Sequence, residues 1–200
     1  MGRPSLETVR TAQIVAAASR VVVAFGVNGA TLERIAAEAG FRRGHVRHYV
    51  GNRAELLDRV VDAAIEPYQS RIREIARIED REERMRALLD HLFGRDWGPG
   101  EDSALFAALL LGAQQDPRLR ERMRAVYEEV RLDIEKMLKP DADGTARNGA
   151  RSVAYAVLCL AYGNSVMTGL SVAKPGASMA REAAAVAVAA LAAGPRPDRK

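Results

Sequence analysis

Arg42, Arg43, Arg47 and Arg53 fall within twelve residues, with His45, His48 and Tyr49 interleaved and no Asp or Glu among them. A guanidinium offers a planar fork of donors that matches a phosphate or the O6/N7 edge of guanine. Four such forks without a local carboxylate form a surface for a polyanion. His48 and Tyr49 add donors suited to backbone phosphates, and His45 can also reach a base edge. The competing explanation is a solvated helix face with local ion pairs, or a place in a small core for the rings. The lack of a nearby acid favours the polyanion.

The surrounding residues supply the elements that would present these groups. Thr31 can cap a helix whose Leu32, Ile35, Ala36 and Ala39 share one face. Gly40 suits the left-handed turn that ends it. A second short helix then starts near Arg42, with Val46 and Val50 as its core side. Two short helices about a Gly turn, the second bare of acid, are what a helix-turn-helix needs to enter the major groove of DNA. Before them a longer helix runs from Ser5 or Thr8 to Phe25, with Val15, Ala18, Val22 and Phe25 on one face, and Gly26 and Gly29 break it. After them Asn52-Arg53-Ala54-Glu55 is a capping box. Thr31 and Arg53 thus sit at helix starts facing the phosphates, and Arg3 in the leading arm can follow the minor groove.

The charge distribution agrees. Residues 1–55 carry eight Arg and four Glu, whereas the other 145 carry 22 basic and 22 acidic groups, so the whole net charge of +4 resides in the first quarter. Ala, Arg, Glu and Leu dominate, and Gly and Pro cut the chain into helix-sized pieces, which predicts an all-α fold of about nine helices. Beyond the capping box, helices are expected to Ile78 with a kink or break near Pro67, from Asp80 to Phe93, and from Asp102 to Gln115. Further helices follow from Asp116-Pro117 to Lys139, from Ala146 to Ala173, and from Ser178 to Ala193. The helix from Asp102 is apolar almost all round and is expected to be central.

The lone Cys159 excludes a disulfide framework within one chain or a cysteine metal site. Arg95, Asp96, Glu101 and Asp102 with His91 lack recognised ligand spacing, so no metal or other cofactor is expected. No nucleophile–base–orienter set is present, which argues against an enzyme. The N-terminus lacks a signal-peptide layout, and Leu6 stands where a myristoylation motif needs Ser or Thr. Ser152 to Ala173 is free of charge for 22 residues, yet its Ser, Asn and Thr content reads as a buried helix rather than a membrane span. The cytoplasm is the expected compartment.

The runs I-V-A-A-A-S-R-V-V-V-A-F-G, A-T-L-E-R-I-A-A-E-A-G-F and R-G-H-V-R-H-Y-V-G-N-R-A-E-L-L, covering roughly residues 9–57, resemble the N-terminal domain of TetR-family bacterial repressors. The chain departs from that pattern at Arg42, where the family usually has Ser or Thr, and at His45 and Arg47, often aromatic or Thr. It departs also at Val50, usually Phe, and at Arg53, usually Lys. The resemblance implies a helix-turn-helix domain over 1–52 and a helical ligand-binding and dimerisation domain over 53–200. It implies a homodimer joined through the last two helices, a palindromic double-stranded operator, and a small-molecule effector whose binding releases DNA. An activator, or a DNA-binding protein without effector, differs only in regulatory sign and stays open.

For the implied pocket, the polar candidates are His91, Gln114, Tyr155, Tyr162, Asn164 and Thr168, with Phe93, Trp97, Phe106, Met123, Tyr127 and Met167 as apolar wall. With aromatics at 5% of the chain, an aliphatic or moderately polar ligand fits better than a large planar one. Ala156, Ala161, Gly163, Gly169 and Ala184–Ala190 are small enough for close helix approach, and self-association is the favoured reason.

Overall fold

The computed structural model describes residues 5–94, 101–138, 146–172 and 178–192. All regular structure among them is helical. The helices are α1 (Leu6–Gly29), α2 (Leu32–Ala39), α3 (Arg43–Val50), α4 (Arg53–Ile75), α5 (Arg81–Phe93), α6 (Glu101–Ala113), α7 (Pro117–Leu138), α8 (Ala146–Gly169) and α9 (Ser178–Ala192). Two compact units emerge, Met1–Pro67 with Gly100–Val126, and Tyr68–Pro99 with Tyr127–Lys200.

In the first unit α1 packs on α2, α3 and α6. Ser5 caps α1 by accepting the Thr8 N–H at 3.1 Å. Ile14, Ala17, Ala18, Val21 and Val22 are buried, each large one contributing roughly 1.5–3 kcal/mol of transfer free energy. Phe25 corrects the sequence expectation: it is 57% exposed. Gly26, at φ 70° and ψ 170°, turns the chain there and gives the next buried place to Val27. Phe25 instead lies beneath the Arg34 guanidinium, 4.4 Å from its ring centroid.

Helix α4 continues through Pro67, so of the expected kink or break there is no break, and it stops at Ile75. Its stripe of Leu56, Leu57, Val60, Val61, Ala64 and Ile65 is buried as the spacing predicts. Helix α6 differs from expectation. Its composition is apolar all round, but only one side is covered: Leu105, Leu109 and Ala113 are buried while Leu111 is 62% exposed. Asp116 caps α7, accepting the N–H groups of Arg118 and Leu119 at 3.0 and 3.1 Å with Pro117 in the first turn.

In the second unit α8 packs chiefly on α9, and both touch α5. Ala154, Ala161 and Ala184 are fully buried, and a Cβ added to Gly149 would lie 2.6 Å from Leu191 Cδ1. Gly163 and Gly169, expected at close approaches, have nothing within 4 Å of an added Cβ. Helix α8 ends four residues before its expected limit. Val172 N–H reaches Met167 O and Ser171 N–H reaches Thr168 O, a Schellman turn with Ser171 at φ 58°. A charge-free sequence continues past this stop because composition does not encode it. Among the described residues the one helix long and apolar enough to cross a membrane is α1. It carries the buried face just described.

Candidate nucleic-acid interface

The turn between α2 and α3 is built by three local devices. Thr31 Oγ1 accepts the Arg34 N–H at 3.2 Å and starts α2. Gly40 adopts φ 70° and ψ 29°, so that Phe41 N–H meets Ala36 O at 2.9 Å and Gly40 N–H meets Ala37 O at 3.2 Å. Asn52 Oδ1 then accepts from Ala54 and Glu55, while Glu55 Oε2 returns to Asn52 N–H at 2.8 Å, closing the capping box of α4.

Between these stops α3 presents two faces. Val46 and Val50 are buried at 0% and 1% exposure. Arg42, Arg43, His45, Arg47 and His48 are all exposed, and Tyr49 is half-buried with its ring edge-on to His48, centroids 5.2 Å apart. Arg42 takes the N-cap position with extended backbone but no side-chain capping bond. The first-turn N–H groups therefore lack the hydroxyl that Ser or Thr would supply.

Three side chains behave in ways the sequence did not disclose. Arg43 was expected to lack an acidic partner, yet its Nε meets Glu33 Oε1 of α2 at 2.9 Å. The acid is ten residues away in sequence and one helix away in space. Arg53, expected at the phosphates, directs Nε to Ala30 O at 2.9 Å and Nη2 to Val27 O. It ties the α1–α2 connection to the start of α4. Arg10 of α1 lies over the Phe41 ring, 5.2 Å from its centroid, which places another cation beside the Gly40 turn. The end of α1 is braced again by α6 and the residues just after it. Asn28 Nδ2 donates to Gln115 at 2.8 Å, and a Cβ on Gly112 would sit 2.6 Å from Val27 Cβ.

Eleven of the twelve pocket candidates lie among the described residues, three in the first unit and eight in the second. In the first unit Met123 is buried, Phe106 half-buried and Gln114 exposed. In the second, Phe93 and Thr168 are buried, and His91, Tyr127 and Asn164 are half-buried. Tyr155, Tyr162 and Met167 are 65%, 44% and 45% exposed. Helix α8 buries Ala150, Ala154, Val157 and Ala161. Burial, with the neighbouring Tyr162 second, pushes the Tyr127 phenol up to about 12. The Thr168 Oγ1 is buried without a hydrogen-bond partner among the described residues. Arg3 and Trp97 lie outside the described residues, as do Arg95 and Asp96 of the acidic loop cluster. No group of metal-ligating residues occurs among the described ones.

A three-helix head that holds an exposed basic helix behind a left-handed Gly turn defines a helix-turn-helix transcriptional regulator. The family model for bacterial regulatory proteins of the tetR family matches residues 14–60. The chain is 30% identical over 162 residues to the HTH-type nicotine-responsive transcriptional repressor HdnoR of Paenarthrobacter nicotinovorans, covering 78% of this chain and 82% of that one. It therefore belongs to the TetR family. Solved structures agree on the fold. A TetR transcription regulator from Haloarcula marismortui superposes with a TM-score of 0.74 at 22% identity, over 92% of this chain and 98% of that one. A transcriptional regulator from Rhodococcus sp. Rha1 gives 0.72 at 21% identity, over 94% and 99%.

Proposed function

We propose that this TetR-family regulator is a cytoplasmic repressor that binds a palindromic operator as a homodimer and leaves it when a small molecule binds. The observation that carries the DNA-reading part is the α3 surface, where five exposed basic side chains stand opposite two buried valines. Residues 1–52 are the reading head in this account. Arg42, Arg43, His45 and Arg47 approach base edges or phosphates; His48, Tyr49, Thr31 and Arg3 hold the backbone. Arg53 serves mainly by fixing the head's geometry.

Dimerisation is supported by an uncovered apolar stripe on α8 and the residue that follows it. Tyr155, Tyr162, Val166 and Leu170 are 65%, 44%, 38% and 67% exposed at helical spacing, with Cys159 exposed between them. Val186 and Met179 of α9 add 69% and 70% exposed apolar side chains. A soluble monomer rarely leaves so contiguous a patch open. A two-fold axis through it gives two heads for a symmetric site. Effector release is supported by the nicotine-responsive relative and by Thr168, whose buried hydroxyl suits a polar ligand group. Phe93, His91, Tyr127 and Asn164 would line the same pocket.

The test joins three measurements on the full chain. Sedimentation should give a dimer, selection from a random duplex pool should return an inverted repeat, and a panel of amines and carboxylates should contain a compound that weakens binding. A monomer, or a selected pool without two-fold symmetry, would overturn the proposal.

A further inference from the structure

We infer that Glu33 is a positioning residue that holds Arg43 as a guanine-reading fork. The inference rests on the DNA-binding function proposed above and concerns specificity within it. The contact between them is made through Arg43 Nε, which meets Glu33 Oε1 at 2.9 Å. This is an ion pair between exposed side chains, and with the carboxylate against Nε the two terminal nitrogens, Nη1 and Nη2, stay available side by side. Those two nitrogens are the donors that bind guanine O6 and N7 together. The contact thus holds Arg43 without occupying the atoms needed for base recognition.

The position in the fold fits that role. Arg43 opens α3, the helix whose N-terminal residues address base edges in a docked helix-turn-helix. Glu33 lies in the first turn of α2, anchored by the Thr31 cap and by Ile35 and Ala36 in the core. Both partners are well exposed, 63% and 60%, so the pair adds little to folding. Its use must be sought on the surface. A free arginine side chain is rotamer-rich, and fixing it before contact reduces the ordering loss on binding. Among the described residues Arg42 and Arg47 have no such carboxylate. They can swing to phosphates, whereas Arg43 is aimed.

The acid also has an opposing effect. A carboxylate beside the reading helix repels every phosphate backbone alike. Glu33 therefore lowers affinity for arbitrary DNA while raising it for sites with guanine in the right place, which widens the specificity ratio from both sides.

The experiment compares the full-length parent with Glu33→Ala, Glu33→Gln and Arg43→Ala, using a selected duplex and versions with 7-deazaguanine at each guanine in turn. In the parent, one guanine per half-site should lose about ten- to hundredfold in affinity on losing N7. In Arg43→Ala that penalty should vanish. In Glu33→Ala it should shrink several-fold while binding to a random duplex becomes tighter, and Glu33→Gln, which keeps an acceptor, should fall between. A full 7-deazaguanine penalty in Glu33→Ala, or weaker random-duplex binding, would overturn the positioning role. An Arg43→Ala protein that keeps the penalty would overturn guanine reading by Arg43. A parent that binds no duplex would instead overturn the DNA-binding proposal. Thermal melts should be nearly superimposable for all four proteins, since both side chains are exposed.

Discussion

Gly112 of α6 and Val27 in the last turn of α1 form a contact whose energetics can be worked from the structure. A Cβ built on Gly112 falls 2.6 Å from Val27 Cβ, with Val27 Cγ2 nearer still and Cγ1 at 3.2 Å. Neither neighbour is a flexible end, because Val27 is branched at Cβ and 3% exposed. Gly112→Ala should thus force overpacking of about 2 kcal/mol, offset by about 1 kcal/mol of helix propensity gained. The net expectation is a loss of about 1 kcal/mol, or roughly 2–4 °C in Tm for a chain of this size. Val27→Ala removes two buried methyl groups and should itself cost about 2 kcal/mol. It removes the two Cγ contacts of the new methyl but leaves Val27 Cβ, 2.6 Å away, in place. In the Val27→Ala background, Gly112→Ala should then cost less than in the parent, because the smaller side chain can shift away. The cost of one substitution depends on the identity of a residue 85 positions away. A urea-denaturation double-mutant cycle measures this directly. If Gly112→Ala shifts stability equally in both backgrounds, the close approach is not what holds a glycine there.

Arg53→Lys should lower stability by about 1–2 kcal/mol, since an ammonium cannot reproduce the fork that reaches both Ala30 O and Val27 O; unchanged denaturant midpoints would contradict the bracing role. Alkaline titration followed by tyrosinate absorbance should show one phenol ionising near 12 in the folded protein, and Tyr127→Phe should remove it. Because the folded pKa lies above the unfolded value near 10, this group's contribution to stability is complete below about pH 10 and is lost as pH rises towards 12. A Tyr127→Phe melt with the same alkaline fall would contradict that. Ser171→Gly should be neutral or stabilise by up to about 1 kcal/mol, relieving a non-glycine residue at φ 58°; a clear loss in Tm would show that the left-handed turn carries no strain.

What was legible in the sequence was local. Gly40, the Asn52–Glu55 box and Asp116-Pro117 act over three to five residues, so their residue types and spacing announced the turn and the helix starts. The buried stripe of α4 follows from periodicity alone. The features that were not legible join distant positions. Glu33 reaching Arg43 needs the angle between α2 and α3, and Arg53 finding two carbonyls needs the turn that Gly26 makes. Phe25 keeps the spacing of its stripe, but the chain bends one residue later and carries it into solvent. Helix α6 shows the limit of composition: Leu109 and Leu111 are chemically alike, and only packing decides that one is buried. The outward stripe of α8 was not legible for the same reason: that Ala154 and Ala161 are buried while Tyr155, Tyr162 and Met167 are exposed follows only from packing.

The central claim is that the exposed basic face of α3 is the surface that docks on DNA. Fluorescence anisotropy of the parent and of Arg42→Ala, Arg43→Ala and Arg47→Ala on one selected duplex, each across a range of salt, tests it most directly. Every variant should bind more weakly. A residue on a phosphate should reduce the slope of log K against log salt by about 1, and a residue on a base should lower affinity about 5- to 150-fold with little change in slope. Three variants that match the parent in both affinity and slope would place the DNA-binding surface elsewhere.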